Sequence, residues 1–351
     1  MMNRRDVMIA MAMAGAAAAS PSLLANGKDV SAHAHDWDWL IGNWDVWHRR
    51  LKERLTNNND WQEFNGKSVL WTTLNGLGNV DDNVVELPDG IYRGLSIRSF
   101  DPATQQWAIW WMDGRYPTRL DPPVLGRIEA DTGTFIGKDT LRGRPVIVRF
   151  RWLDIHSKRP NWEQAFSPDD GKTWEVNWRN YFTRTSAKPT SLPRLDDAPR
   201  DFDFLVGSWH ANNRRLKQRL AGSTQWEEFD NTLTNWPVLG GFGNVADNTF
   251  NAPGGAFHGV SLRAYDRDSK QWLSWWMDSR NPSQISTPER GSFRDGVGTF
   301  LGDDVHDGKP VKVRAQWSRI TPSSAHWEQA WSADNGATWE TNWISELTRK
   351  A

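Results

Sequence analysis

The stretch DWDWLIGNW at residues 36–44 recurs as DFDFLVGSW at residues 201–209, an offset of 165 positions. The same offset places WWMD at 110–113 on WWMD at 275–278, and it aligns residues 36–184 with 201–349 without a gap. A period this long exceeds the roughly 20–50 residues of solenoid and propeller repeats, so each copy is predicted to be a whole domain. Residues that both copies keep while their neighbours differ are therefore candidates for a shared structural or functional role.

Composition and charge exclude several classes of protein. A length of 351 residues fits two domains of ordinary size. The formal charge is −1 and the pI is about 6.7, so no basic field attracts nucleic acid, and we expect no nucleic-acid partner. The absence of cysteine excludes disulfides, a thiol nucleophile and a thiolate metal site. Nothing in the sequence fixes the oligomeric state.

Residues 1–25 are typical of an export signal of the twin-arginine type. The pair Arg4-Arg5 precedes a weakly apolar run at 9–19 and small residues such as Leu24-Ala25. The run is too short and too rich in alanine for a stable membrane span. The sequence therefore predicts a periplasmic or secreted protein with no membrane insertion after signal removal, the alternative being a merely frayed N-terminus.

Each copy has the segment pattern of an all-β domain. Short aromatic and β-branched segments alternate with Gly, Pro, Asp and Asn, and a linker at 185–200 with three prolines separates the copies. About nine antiparallel strands per copy predict a closed barrel, because closure removes exposed sheet edges. The strands predicted in the first copy lie near 43–50, 62–74, 92–100, 106–113, 124–129, 133–137, 145–153, 161–167 and 173–183.

The start of each copy carries a Gly-x-Trp motif after an apolar pair, LIGNW at 40–44 and LVGSW at 205–209. This motif resembles the opening strand of lipocalin-like, or calycin, barrels. The segments at 92–113 and 162–178 are similar to those of bacterial calycin-like domains of uncharacterised function. The resemblance implies two tandem up-and-down barrels with a ligand cavity, and it implies no known chemistry.

Tryptophan is abundant and follows the repeat. Of 24 tryptophans, 20 form ten pairs at equivalent positions. An aromatic side chain buries roughly 150–250 Å², so ten tryptophans exceed what the core of a small barrel normally uses. Most are predicted to be core residues, and the remainder are predicted to line a pocket for a flat or sugar-like ligand.

The segments SPDDGKTW (167–174) and SADNGATW (332–339) fit the pattern Ser-x-Asp-x-Gly-x-Thr-Trp that is familiar from sialidase propellers. Its physical content is a tight hairpin, in which Asp accepts from turn amides and Gly takes a positive φ. A tyrosine nucleophile with an arginine triad is not visible, so the motif predicts a turn and not a sialidase.

Folding the first copy about this turn places Trp162 beside Trp178 on one face and Glu163 beside Asn177 on the other. The second copy keeps the polar face, as Glu328 and Asn342. Two interpretations stay open. The polar face is either a solvated surface with hairpin hydrogen bonds or a polar cluster inside the barrel that binds ligand.

The segment QWAIWWMD at 106–113 also has two faces. Ala108, Trp110 and Met112 form an apolar face that is apolar in both copies. The other face carries Trp111 and Asp113, followed by Arg115, and it is retained as Trp276, Asp278 and Arg280. This face is either a salt-bridged strand end or a pocket with Trp111 as its platform.

Two further polar patterns recur. RRLKERL at 49–55, together with the retained pairs Arg98/Arg263 and Arg149/Arg314, either seats a carboxylate or phosphate or forms a solvated face. The segment NVDDN at 79–83 reads as an Asx-rich turn, with calcium binding as the alternative. None of the eight histidines has a histidine at its equivalent position, which argues against a shared haem, zinc or acid/base site. We therefore predict no metal site and no cofactor.

Three functional hypotheses follow. The first is an exported protein that binds a small aromatic, apolar or sugar-like ligand in its barrels. The second is an isomerase, hydratase or lyase that uses retained carboxylates such as Glu163 or Glu175. The third is a structural or interaction module. The residues predicted to bind ligand are Trp111, Asp113, Arg115, Glu163, Gln164 and Asn177 in the first copy, and Trp276, Asp278, Arg280, Glu328, Gln329 and Asn342 in the second.

Overall fold

Each copy of the repeat folds into its own closed barrel of ten antiparallel strands, which confirms the predicted fold class. The computed structural model describes residues 30–350, so the predicted export signal lies outside the described residues. The first barrel comprises β1 (Gly42–Leu51), β2 (Trp61–Thr73), β3 (Gly78–Leu87), β4 (Gly90–Asp101), β5 (Gln106–Asp113), β6 (Val124–Glu129), β7 (Thr132–Leu141), β8 (Arg144–Leu153), β9 (Asn161–Ser167) and β10 (Glu175–Ser186). The second comprises β11 (Gly207–Leu216), β12 (Trp226–Val238), β13 (Gly243–Ala252), β14 (Gly255–Asp266), β15 (Gln271–Asp278), β16 (Glu289–Arg294), β17 (Val297–His306), β18 (Lys309–Ser318), β19 (Ser324–Ser332) and β20 (Glu340–Arg349).

Both barrels are simple up-and-down meanders. Every strand pairs with its neighbours in sequence, and the first strand closes the sheet by pairing with the last, with Trp47 opposite Tyr181 in the first barrel. Within the part of the chain that the structure describes, no strand is shared between the two barrels. Closure leaves neither sheet with an unpaired edge, which is the property that the sequence pattern required.

Each barrel has one strand more than the sequence predicted. In the first barrel this strand is β3, which contains the segment interpreted as a turn. Residues 79–83 lie within β3, where Val80 pairs with Trp71 of β2 and with Ile97 of β4. Asn and Asp are depleted in strands, so their density concealed the alternation. The Asx-turn interpretation was therefore wrong.

The repeat's opening motif closes one end of each barrel. In the first barrel, a 3-10 turn at Asp38–Leu40 directs Trp37 into a core cluster with Trp107 and Phe135. The indole of Trp107 donates to the carboxylate of Asp36 at 2.8 Å, and its counterpart Trp272 donates to Asp201 at 2.9 Å. The acid and the aromatics of this motif are retained because together they plug the barrel end.

The apolar face of β5 points outward and packs against the other barrel. Trp110 and Met112 join Val245 and Trp275 in one hydrophobic cluster that includes residues of both copies. Trp71 and Trp236 meet across the junction with ring centroids 5.5 Å apart. This shared cluster is called the inter-barrel core below.

Two reciprocal hydrogen bonds fix the arrangement of the barrels. The carboxylate of Asp82 accepts from the backbone amide of Leu239 at 2.9 Å, and that of Asp247 accepts from the amide of Leu74 at 3.1 Å. Asp82 and Asp247 are equivalent in the repeat, as are Leu74 and Leu239. The barrels are therefore related by an approximate twofold axis, in the manner of an isologous dimer interface.

The predicted Asp-containing hairpin is confirmed between β9 and β10. One oxygen of Asp169 accepts from the amide of Thr173 at 2.9 Å and the other from its hydroxyl at 2.6 Å, while Gly171 has φ +87°. These hydrogen bonds lower the pKa of Asp169 to about 2, and Asp334 in the second copy behaves in the same way. The motif is a turn anchor on the barrel surface.

We expect Gly126→Ala and Gly291→Ala to destabilise the protein strongly. A Cβ at these positions would lie 1.8 Å from the carbonyl oxygen of Thr134 and 1.9 Å from that of Thr299. Because both obstacles are backbone atoms of the adjacent strand, relief requires the strands to separate, and overpacking of this kind costs about 1–3 kcal/mol or more. Urea unfolding measures the change.

The matched control for both variants is Gly254→Ala, where an added Cβ would meet no atom within 4 Å. We expect its free energy of unfolding to stay within about 0.5 kcal/mol of the unmodified protein. Equal stability of all three variants would contradict the close strand approach.

Candidate functional site

A cavity lies inside each barrel above the plugged end. The first cavity, in the first barrel, has a volume of about 260 Å³, and the second cavity, in the second barrel, one of about 290 Å³. Leu40 lines the first cavity and its counterpart Leu205 the second. Four of the ten tryptophan pairs line the cavities, namely Trp111/Trp276, Trp152/Trp317, Trp162/Trp327 and Trp178/Trp343.

Two of the six residue pairs predicted to bind ligand line these cavities. They are the tryptophan pair Trp111/Trp276 and the glutamine pair Gln164/Gln329. The side-chain amide of Gln164 donates to Asn177 at 2.8 Å, and Gln329 donates to Asn342 at 2.9 Å. Each glutamine therefore presents an oriented amide at the cavity wall.

Asn177 does not lie opposite Glu163 as the sequence indicated. A β-bulge at Asn177 shifts the register of β9 and β10, so that Trp178 pairs with Gln164 and Arg179 with Glu163. Asn177 and Asn342 are fully buried behind the cavity wall and are not among the lining residues. A bulge adds one residue to one strand only, which a strict alternation pattern does not reveal.

Glu163 and Glu328 also lie outside the cavities. Because Gln164 points inward, strand alternation directs Glu163 to the outer face. There its carboxylate lies 3.5 Å from Arg151 and 3.8 Å from Arg149, and Glu328 lies 3.4 Å from His326. Glu163 is buried beneath its arginine partners, whereas Glu328 is partly exposed.

Asp113 and Arg115 form a clamp at the end of β5. The guanidinium and the carboxylate are 2.6 Å apart, and the guanidinium lies over the ring of Tyr92 at 4.0 Å. The second barrel repeats the clamp with Asp278, Arg280 and Phe257. These charged residues are not lining residues, although Tyr92 beneath them lines the first cavity.

Polar groups that the sequence did not single out complete the first cavity. The Nδ1 atom of His48 lies 3.2 Å from the indole nitrogen of Trp178 and 2.6 Å from the amide oxygen of Asn180. Burial lowers the pKa of His48 to about 4, so the imidazole is neutral at neutral pH. Asn213 occupies the equivalent position and accepts from Trp343 at 3.0 Å. His48 carried no signal in the repeat because its counterpart is not a histidine.

Arg54, Arg98 and Lys138 line the first cavity, and Arg263 lines the second. The equivalent arginines Arg98 and Arg263 differ in their partners. Arg98 forms a buried ion pair with Asp81 in the first cavity at 2.5 Å. In the second cavity, Arg263 donates to Asn244 at 2.9 Å, and alanine stands where Asp81 stands in the first copy. Burial lowers the pKa of Arg263 to about 10, so the guanidinium stays positively charged at neutral pH.

Within residues 30–350, no group of three or more His, Asp or Glu side chains is placed to hold a metal ion. Among the same residues, no helix has the length and the apolar character needed to cross a membrane.

No model of a known protein family matches the chain, and no curated protein sequence matches it. Among solved structures it is similar to an S-type phycobiliprotein lyase from Guillardia theta, at 15% identity over 43% of this chain and 90% of that one, with a TM-score of 0.31. It is also similar to a protein of unknown function from the DUF3598 family of Nostoc punctiforme, at 11% identity over 91% and 99% of the chains, with a TM-score of 0.29.

The class of the protein is therefore defined by its own topology. It is a tandem pair of ten-stranded up-and-down antiparallel barrels, each enclosing a cavity. The calycin resemblance agrees with it at this coarse level.

Proposed function

We propose that the protein binds a small aromatic, apolar or sugar-like compound in the cavity of each barrel. The observation that supports this proposal is the presence, in both barrels, of an internal cavity whose wall combines four equivalent tryptophans with an oriented glutamine amide. Apolar concave walls with a few placed polar groups are typical of small-molecule sites.

The size of the cavities limits the ligand. Volumes of about 260 and 290 Å³ lie just below the roughly 300–1,000 Å³ of common ligand pockets. A compound of one or two rings fits such a space, with its flat face against indole. A drug-sized compound requires the wall to open.

We also propose that the protein is exported. The twin-arginine pair and the apolar run at 1–25 favour export to the periplasm or beyond. N-terminal sequencing of the mature protein tests it, and an intact Met1 would contradict it.

The two alternative functions have less support. The enzyme hypothesis invoked retained carboxylates such as Glu163 or Glu175, and neither of these two lines a cavity. The retained pair Asp139/Asp304 does line the cavities. Glu175 instead accepts from the backbone amide of Leu55 at 2.8 Å and anchors a loop. A structural or interaction module needs no ligand cavity, so its barrels are expected to be filled with side chains. Both barrels instead contain a cavity.

Trp111→Ala and Trp276→Ala test the proposal, because each removes one aromatic surface from one cavity. Native mass spectrometry of the protein from its own source identifies a co-purifying ligand, and calorimetry then measures its binding. We expect two ligands per chain and a loss of roughly 1–3 kcal/mol at one site only for each variant, as for stacking on aromatics elsewhere.

Trp226→Ala is the control, since Trp226 stacks under Arg214 at 5.1 Å and lines neither cavity. Its ligand affinity is expected to match that of the unmodified protein. A ligand whose binding is unaffected by both cavity variants would contradict the proposed sites.

A further inference from the structure

The two cavities differ in polarity at one level of their walls. In the second barrel, Arg263, Ser274 and Glu289 lie side by side on β14, β15 and β16, and all three line the cavity. The row therefore presents a cation, a hydroxyl and a carboxyl to the same space. The equivalent row of the first barrel is Arg98, Ile109 and Val124.

The arginines of these rows are neutralised to different extents. Arg98 donates to the carboxylate of Asp81 and to the amide of Asn79 at 2.7 Å, so its charge is paired inside the wall. In the second barrel the position of Asp81 is Ala246, and among the described residues Arg263 forms no ion pair with a carboxylate within 4.0 Å and donates instead to Asn244. Its guanidinium lies over the ring of Phe202 at 4.9 Å and keeps its charge toward the second cavity.

We propose that at this level of the wall the second cavity, and not the first, binds the carboxylate group of an aromatic acid, with Arg263 as the cationic partner and Glu289 as a hydrogen-bond donor. The inference rests on the proposed ligand-binding function and adds the chemical class of one ligand. A guanidinium matches the two oxygens of a carboxylate, and an unpaired buried cation gains most from such a partner. Arg98 lacks this capacity because Asp81 already occupies it.

The charges around Glu289 determine how the site responds to pH. Arg263 faces it from β14 and Asp304 from β17, while Asp303 beside Asp304 is paired with Lys312 at 2.5 Å. Burial raises the pKa of Glu289 to about 7, a net value that includes an opposing effect of Arg263 and a smaller supporting effect of Asp304. Below that pH the carboxyl is protonated and can donate to a bound carboxylate. Above it, the ionised carboxyl repels the ligand.

The experiment compares 2-naphthoate with the uncharged 2-naphthalenemethanol on the full chain by calorimetry. We expect one naphthoate site per chain and a preference over the alcohol of at least about tenfold at acidic pH. Arg263→Met removes the cation, and Ala246→Asp restores the partner that Arg98 has. Both variants should lose that preference while binding of the alcohol changes little.

One further variant serves as a control, and two others test the roles of Asp81 and Glu289. Arg314→Met removes an arginine on the outer face, where it covers Trp339 at 4.8 Å, and should leave naphthoate binding unchanged. Asp81→Ala should add a second naphthoate site by releasing Arg98. Glu289→Gln should abolish a weakening of about tenfold that we expect for the unmodified protein between about pH 6 and about pH 8.

The outcomes separate the inference from the proposed function. Equal binding of the acid and the alcohol, both weakened by Trp276→Ala, would overturn the carboxylate site and leave ligand binding in place. Naphthoate binding that survives Arg263→Met and Ala246→Asp would overturn the role of Arg263. Binding of neither compound would overturn the inference, and the co-purification experiment would still decide the proposed function.

Discussion

Val245→Asp is expected to destabilise the whole protein by more than about 4 kcal/mol, because it places a charge in the inter-barrel core without a partner. Val245 is 0% exposed and packs in the cluster that joins the two copies. The aspartate carboxylate would lose its hydration there without gaining a hydrogen bond. We therefore expect the variant to unfold at lower urea concentration or to fail to fold. Urea titration followed by tryptophan fluorescence measures the loss.

The control for this change is Val297→Asp. Val297 is 38% exposed at the start of β17, so aspartate remains hydrated and the expected change is within about 0.5 kcal/mol. If Val245→Asp unfolded at the same urea concentration as the control, the inter-barrel core would contribute nothing to stability. That result would also mean that the barrels separate without cost.

The inter-barrel core shows what the repeat could and could not predict. The period fixed the number of barrels, and alternation along β5 correctly separated the face of Trp110 and Met112 from that of Trp111. It did not show which face pointed inward. The apolar face is buried on the outside of its barrel because a second copy covers it, and a single-domain pattern contains no signal for such a partner.

The site was also predicted only in part, because alternation and retention in both copies do not show on which side of the barrel wall a residue lies. Trp111 and Gln164 line the first cavity, whereas one bulge beside Asn177 displaced the expected partner of Glu163. Retention in both copies identified residues under shared constraint, but the constraint at Asp113 and Arg115 is a clamp outside the cavity. The differences between the copies proved as informative as the identities, since His48 and Asp81 were visible only as mismatches.

The double variant Asp82→Asn, Asp247→Asn is expected to be more stable than the unmodified protein at about pH 8. Both carboxyls are buried between the barrels, and burial raises the pKa of Asp82 to about 7 and that of Asp247 to about 6. A raised pKa means that the folded state holds protons that the unfolded state releases above about pH 4. The stability contributed by these two groups is therefore complete below about pH 4 and is lost as the pH rises through about 6 and about 7.

Asparagine removes that loss because it cannot ionise, while its side-chain oxygen can still accept from Leu239 or Leu74. One pKa unit corresponds to about 1.4 kcal/mol, so the two shifts set an upper limit on the order of 7 kcal/mol. Relaxation around the ionised carboxylates lowers this limit, and we expect a gain on the order of 3 kcal/mol at about pH 8 that disappears near pH 4. Urea unfolding of both proteins across this range measures the difference.

Asp170→Asn is the control, since asparagine already stands at the equivalent position 335 and the turn is at the surface. A difference between the double variant and the unmodified protein that did not change with pH would show that the two carboxyls have the same pKa values in the folded and unfolded states.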